Sequence, residues 1–313
     1  MSEQITQYGG QAVIEGVMFG GIHSQVTAVR RQNGTIETYE VSKKQISWVD
    51  TLKKIPILRG IVALTESSAT GAKHLQFASD KFAEDEEGEP ISKSQSSWAL
   101  YLGVAVIGVI SLIIGKMIFT ALPAFLASII FDPYVKNLII QNLLEGAIKT
   151  ILLLAYLLIL VQTPMIKRLF QYHGAEHKVI NAYEARLELT VENVQKQSTL
   201  HYRCGSSFMI LTIIVGVFVY SFFSYDSVWE RIWIRLLLLP LVIGLSYELL
   251  RITNAVREVR LLKYLGYPGL WLQKLTTRQP NDDQVEVAIA AFQRMHELDQ
   301  QSENVTSQVA QPC

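Results

Sequence analysis

The chain has 313 residues, half of them hydrophobic and only 18% charged, with a formal net charge of zero. Soluble domains charge about a quarter of their residues, so the balance points to a membrane, and a neutral chain offers nucleic acid no bulk attraction. Two cysteines, Cys204 and Cys313, exclude a disulfide framework and suit a reducing compartment.

Residues 1–92 read as a cytosolic α+β unit. "MSEQITQYGG" lacks the basic and apolar regions of a signal peptide. "GGQAVIEGVM" suits a strand, and "SQVTAVRRQNGTIETYEV" alternates around Asn33-Gly34, a hairpin signal. After Trp48 the pattern turns helical; Pro56 interrupts it, and an amphipathic helix continues over 57–84. "EDEEGEP" reads as a solvated linker.

Residues 93–254 predict a membrane domain. Four apolar runs, near 98–120, 147–166, 206–223 and 232–250, approach the roughly 20 residues that a span requires. Lys167, Arg168, Lys178, Arg186, Lys196 and Arg203 crowd the loop 167–205, and Arg251, Arg257, Arg260 and Lys263 follow the fourth run. The positive-inside rule then puts that loop and both termini in the cytoplasm. Segment 121–146 is broken by Pro123, Asp132 and Pro133 and reads as a non-cytoplasmic cap of interfacial or re-entrant helices. In 255–300, aromatics around Pro268 and Gly269 suit an interfacial loop. A helix then starts from the N-cap signal at Pro280-Asn281-Asp282 and runs through Leu298. The tail 301–313 reads as disordered. The expected fold class is mostly α: a multi-pass plasma-membrane protein of about four transmembrane helices, a small cytosolic α+β N-terminal unit and a helical cytosolic C-terminal unit.

The chemistry concentrates in "YHGAEHKVINAYE", residues 172–184. His173 and His177 are four apart and share a helix face, so they can converge on one ion. "HGAEH" has the H-x-x-E-H order of an inverted zinc-protease motif, with Glu176 as general base. Glu184 falls on nearly the same face and could add a carboxylate. "HYRCGSSF" supplies His201 and Cys204 just ahead of the third run, where the helix N-terminus favours a thiolate. Imidazole and thiolate together suit a divalent metal, zinc above all. A histidine at the interface and a small buried cysteine are the plain alternatives. Glu15 and Glu248 are outlying candidates, each more economically read as structural.

"GGQAVIEGVM", "FQYHGAEHKVINAYE", "RCGSSF" and "QPNDDQVEVAIAAF" together resemble the YqhQ-like family of bacterial membrane proteins, over about residues 8–298. The resemblance implies a metal-dependent enzyme with His173, Glu176, His177, His201 and Cys204 as its functional set. Tyr202 stands where a proline is expected, which bears on how that turn presents its ligands.

Two readings follow. In one, a cytoplasmic-face site of His173, His177 and Cys204, completed by His201 or Glu184, hydrolyses a lipid or membrane-embedded substrate. In the other, the cluster is a structural clamp in a non-catalytic factor that binds membrane-protein or biogenesis partners. A transporter is disfavoured, because the apolar runs lack ionisable residues at mid-depth. Oligomeric state is not legible.

Overall fold

The computed structural model describes residues 6–43, 47–87, 114, 115 and 117–309. Strands β1 Gly9–Val13, β2 Gly16–Gly20, β3 Ser24–Arg30 and β4 Ile36–Ser42 form one antiparallel sheet in sequential order. The helices are α1 Ser47–Leu52, α2 Leu58–Glu87, α3 Leu122–Phe131, α4 Leu138–Leu160, α5 Pro164–Glu184 and α6 Val191–Gln195. They continue with α7 Gly205–Tyr220, α8 Val228–Leu237, α9 Leu239–Ala255, α10 Tyr267–Thr276 and α11 Asp282–Val309. The protein is therefore mostly helical, with a small antiparallel sheet at its N-terminus.

"GGQAVIEGVM" supplies two strands: Glu15 takes a positive φ of 52° and turns the chain so that Val13 pairs with Gly16. The Asn33-Gly34 hairpin forms as its sequence predicts, with Arg30 opposite Ile36 and Gly34 at φ 86°. Strand alternation then sorts the side chains. Val17, Phe19, Val26 and Ala28 enter a core closed by Tyr172, Ala175 and Val179 of α5 and by Val285, Ala288 and Phe292 of α11. Met18 and Val29 point the other way, with Val13, against Ala78 of α2. Asp299 of α11 fastens the β2–β3 turn by accepting from the backbone N–H groups of Ile22, His23 and Ser24. The sheet is thus covered on both faces, and α5 lies beside it.

The predicted span 98–120 falls mostly outside the described residues. The second run begins earlier than 147, at Leu138, where the Asn137 side chain accepts from the N–H groups of Ile139 and Ile140. Segment 121–146 accordingly forms α3 and the start of α4. The fourth run is two helices, α8 and α9, bent by 52°; Pro240 sits in the first turn of α9, where it cannot continue the preceding helix. Among the described residues α4 alone is long and apolar enough to cross a membrane, and α8 with α9 is a second candidate if read as one span. The C-terminal helix α11 runs on to Val309, past the expected stop at Leu298.

These apolar helices also hold charge. Arg231 and Arg235 are fully buried and share Glu145, with bonds of 2.8–3.2 Å. Arg231 also pairs with Asp132 at 3.2 Å, and Arg235 donates to Asn142 at 2.5 Å. Glu145 lies just ahead of the predicted run 147–166 but inside α4, and its arginine partners come from a different helix.

Candidate metal centre

Pro164 opens α5 in its first turn, where a missing N–H breaks no helical bond. The helix is buried continuously from Gly174 to Ile180, because the sheet, α11 and the 185–204 loop surround it. Gly174 permits the closest approach: a Cβ there would collide with the Arg278 carbonyl oxygen. The Arg278 N–H donates to the Phe170 carbonyl at 2.9 Å, which brings the end of α10 alongside His173. On another face, the buried Lys178 ammonium donates to the Gln195 and Gln197 carbonyls, each at 2.6 Å. That tether holds the returning loop, and with it Thr199, His201 and Cys204, against α5.

The ligand atoms of His173, His177 and Cys204 lie within 4.8 Å of one another. His173 Nε2 is 3.1 Å from Cys204 Sγ, and its Nδ1 is 2.7 Å from the Thr276 carbonyl oxygen. A carbonyl only accepts, so Nδ1 carries the proton and Nε2 presents its lone pair. His177 repeats the pattern, with Nδ1 2.5 Å from the Thr199 carbonyl and a buried Nε2 that has no hydrogen-bond partner. Cys204 caps α7, its sulfur accepting from the Ser206 N–H at 3.4 Å, where the helix dipole favours negative charge. Histidines backed by carbonyls, with Nε2 atoms facing a sulfur at a helix N-terminus, match the outer-shell arrangement of metal sites. The orphaned Nε2 of His177 is the observation that an ion would explain. Two imidazoles and a thiol are donor types that fit a transition-metal ion.

Glu176 sits between the two histidines in sequence and faces strand β1. Burial pushes its carboxyl up to about 7, an effect partly offset by His173 and the Gly10 N–H. A Cβ at Gly10 would lie 2.9 Å from Glu176 Cγ, so glycine is what lets the strand approach. Glu176, the ligand trio, residues 8–12, His201 and Arg203 line one cavity of about 370 Å³.

Other predicted residues sit elsewhere. Glu184 accepts from Arg203 at 2.5 Å and from Arg257 at 3.1 Å, so its carboxylate is committed to two guanidinium groups. His201 lies in the same cavity but outside the trio. Burial, with the charges of Arg203, His177 and Arg257, pushes it down to about 2, and it stays neutral. Glu15 pairs with Arg168 and accepts from the Tyr172 hydroxyl at 3.3 Å. Glu248 pairs with Arg59 and accepts from the Ile57 N–H at 3.2 Å. Both are structural ties. Asn181 and Gln273 are partners that sequence reasoning misses. Asn181 donates to the Ser198 and Leu200 carbonyls, which turns its oxygen to His201 Nδ1 at 2.8 Å. Gln273 brackets the His201 backbone at 2.8 and 2.7 Å.

Residues 55–298 match the family model described as "Protein of unknown function (DUF1385)". The chain is also 52% identical over 300 residues to the protein named "Uncharacterized protein YqhQ" of Bacillus subtilis (strain 168), covering 95% of this chain and 94% of that one. The chain belongs to the DUF1385 family. Its DUF1385 region includes the whole ligand trio, while the strand that meets Glu176 lies upstream of it. No solved structure matches the chain.

Proposed function

We propose that this DUF1385 protein is a multi-pass membrane enzyme that uses a divalent metal, zinc by ligand type, to hydrolyse a lipid or membrane-embedded substrate. The convergence of His173, His177 and Cys204 carries the reading. Three ligands would leave one position of a tetrahedral ion for water or substrate, as catalytic rather than structural sites do. Bound there, the metal would supply Lewis acidity and an activated water. Glu176, a carboxyl poised near neutrality in the same cavity, would serve as general base there. His201 stays neutral and Glu184 stays paired, so neither competes for the role.

The membrane part of the proposal is supported by α4, by the bent pair α8–α9 and by the composition. The charge pattern supports a topology with both termini and the site on the cytoplasmic side of a plasma membrane. A site at headgroup level would meet lipids or juxtamembrane segments first.

The test is Glu176→Gln. An enzyme loses at least about a hundredfold in turnover when its general base is removed, while metal content and thermal midpoint hold. A structural clamp, as an assembly factor binding other membrane proteins would have, tolerates Glu176→Gln and loses its fold with His177→Ala.

A further inference from the structure

Two residues that line the cavity beside the trio each bury a polar atom that the fold leaves unanswered. Arg203 donates twice from one nitrogen: Nη2 reaches the Tyr8 carbonyl at 3.1 Å and Glu184 Oε1 at 2.5 Å. Its Nη1 is buried and has no hydrogen-bond partner. His201 is 4% exposed, and its Nε2 is likewise buried and unpartnered. Because Nδ1 holds the proton against Asn181, Nε2 offers only a lone pair. Both residues line the cavity and both approach Glu184 Oε1, His201 Nε2 at 4.0 Å. The Glu184 charge is met by Arg203 and Arg257 together, so this group of three carries one net positive charge.

A ligand that satisfies both atoms accepts from a guanidinium and donates to a neutral imidazole. A carboxylate only accepts, and an alcohol leaves the positive charge unmet. Inorganic phosphate or a phosphomonoester, each as its monoanion, does both: its oxygens accept from arginine and its P–OH donates to histidine. A phosphodiester lacks that donor.

We propose that Arg203 Nη1 and His201 Nε2 form a phosphate subsite, and that the substrate of the neighbouring centre carries a phosphomonoester. Assigning this phosphate to a substrate rests on the metal-dependent reading above; its binding does not. Two sources share the chemistry, a lipid headgroup such as phosphatidic acid and a soluble phosphate ester.

The experiment is calorimetric binding of inorganic phosphate to the purified full chain, with zinc content measured on the same samples. Wild type is compared with Arg203→Gln and with Arg203→Lys, which keeps the charge on Glu184 but loses the planar fork. Mixed micelles of phosphatidylcholine with and without phosphatidic acid form the second probe. The proposal expects Arg203→Gln to weaken binding about tenfold or more, the loss of a charge-assisted hydrogen bond, with zinc unchanged and Arg203→Lys intermediate. Dependence on Arg203 in micelles alone assigns a lipid headgroup; with free phosphate, a soluble ester. Equal binding by wild type and both variants, or no binding of either probe by wild type, overturns the subsite while leaving the metal reading intact. Arg203-dependent binding by a zinc-free protein leaves the subsite and removes the metal reading. If Arg203→Gln does not fold, Arg203→Lys decides alone.

Discussion

His173 Nε2 stands 3.1 Å from Cys204 Sγ, although 31 residues separate them in the chain. The contact joins the middle of one helix to the start of another. The histidine lies midway along α5, the cysteine caps α7, and the loop between them is held by Lys178 and Asn181. An imidazole lone pair and a sulfur at that distance share one proton or one ion.

The approach of α10 to α5 depends on Gly174. Gly174→Ala puts a methyl group into the Arg278 carbonyl and is expected to cost about 1–3 kcal/mol, as overpacking does. It also moves the Thr276 carbonyl off His173 Nδ1. Thermal denaturation with parallel metal titration checks this: the midpoint falls and zinc affinity falls with it. An unchanged midpoint would show that the helices separate without cost.

That glycine shows how far the sequence is legible. The 173/177 spacing is helical and the cysteine precedes an apolar run, so the grouping of His173, His177 and Cys204 is within reach of local pattern, which offers His201 and Glu184 beside them. The partners that fix it are not. Thr276 meets His173 from 103 residues downstream and Gln273 meets His201 from 72, and their contribution is a carbonyl or an amide that any sequence could supply. Arg231 and Arg235 mislead for a related reason. In sequence they are only the basic residues leading into the fourth apolar run, but their burial depends on Glu145, 86 and 90 residues away. "GGQAVIEGVM" reads as one strand and forms two, because nothing local requires Glu15 to take φ 52°.

Glu145 holds two buried guanidinium groups together. Glu145→Gln leaves Arg231 and Arg235 facing each other with one compensating charge removed, and is expected to cost about 3–5 kcal/mol. Replacing both arginines by methionine in the same background recovers much of the loss. Unfolding in detergent, run as a mutant cycle, reads both effects. A single-variant cost under about 1 kcal/mol would mean that water reaches the cluster.

Acid is expected to loosen the N-terminal unit. Arg31 donates to Asp85 at 2.9 Å and holds its carboxyl below the ordinary 3.8. Burial raises Glu37, but Lys81 and Arg31 outweigh it and hold it below 4.5. A carboxylate with a folded value below its unfolded one stabilises above the unfolded value and loses that contribution as pH falls through the folded value. Stability is therefore lost progressively below about pH 4. The effect stays under about 1 kcal/mol per pair, because these groups are partly exposed. Asp85→Asn should flatten the acid limb of thermal midpoint against pH; an identical slope in variant and wild type would exclude the pair as its source.

The most direct measurement is metal content of the full chain purified without chelator and supplemented with zinc. Wild type is set beside His173→Ala/His177→Ala and Cys204→Ala. The account predicts about one zinc per wild-type chain, as expected of a single mononuclear site, and little or none in either variant. Wild type without metal, or variants that retain as much as wild type, would contradict it.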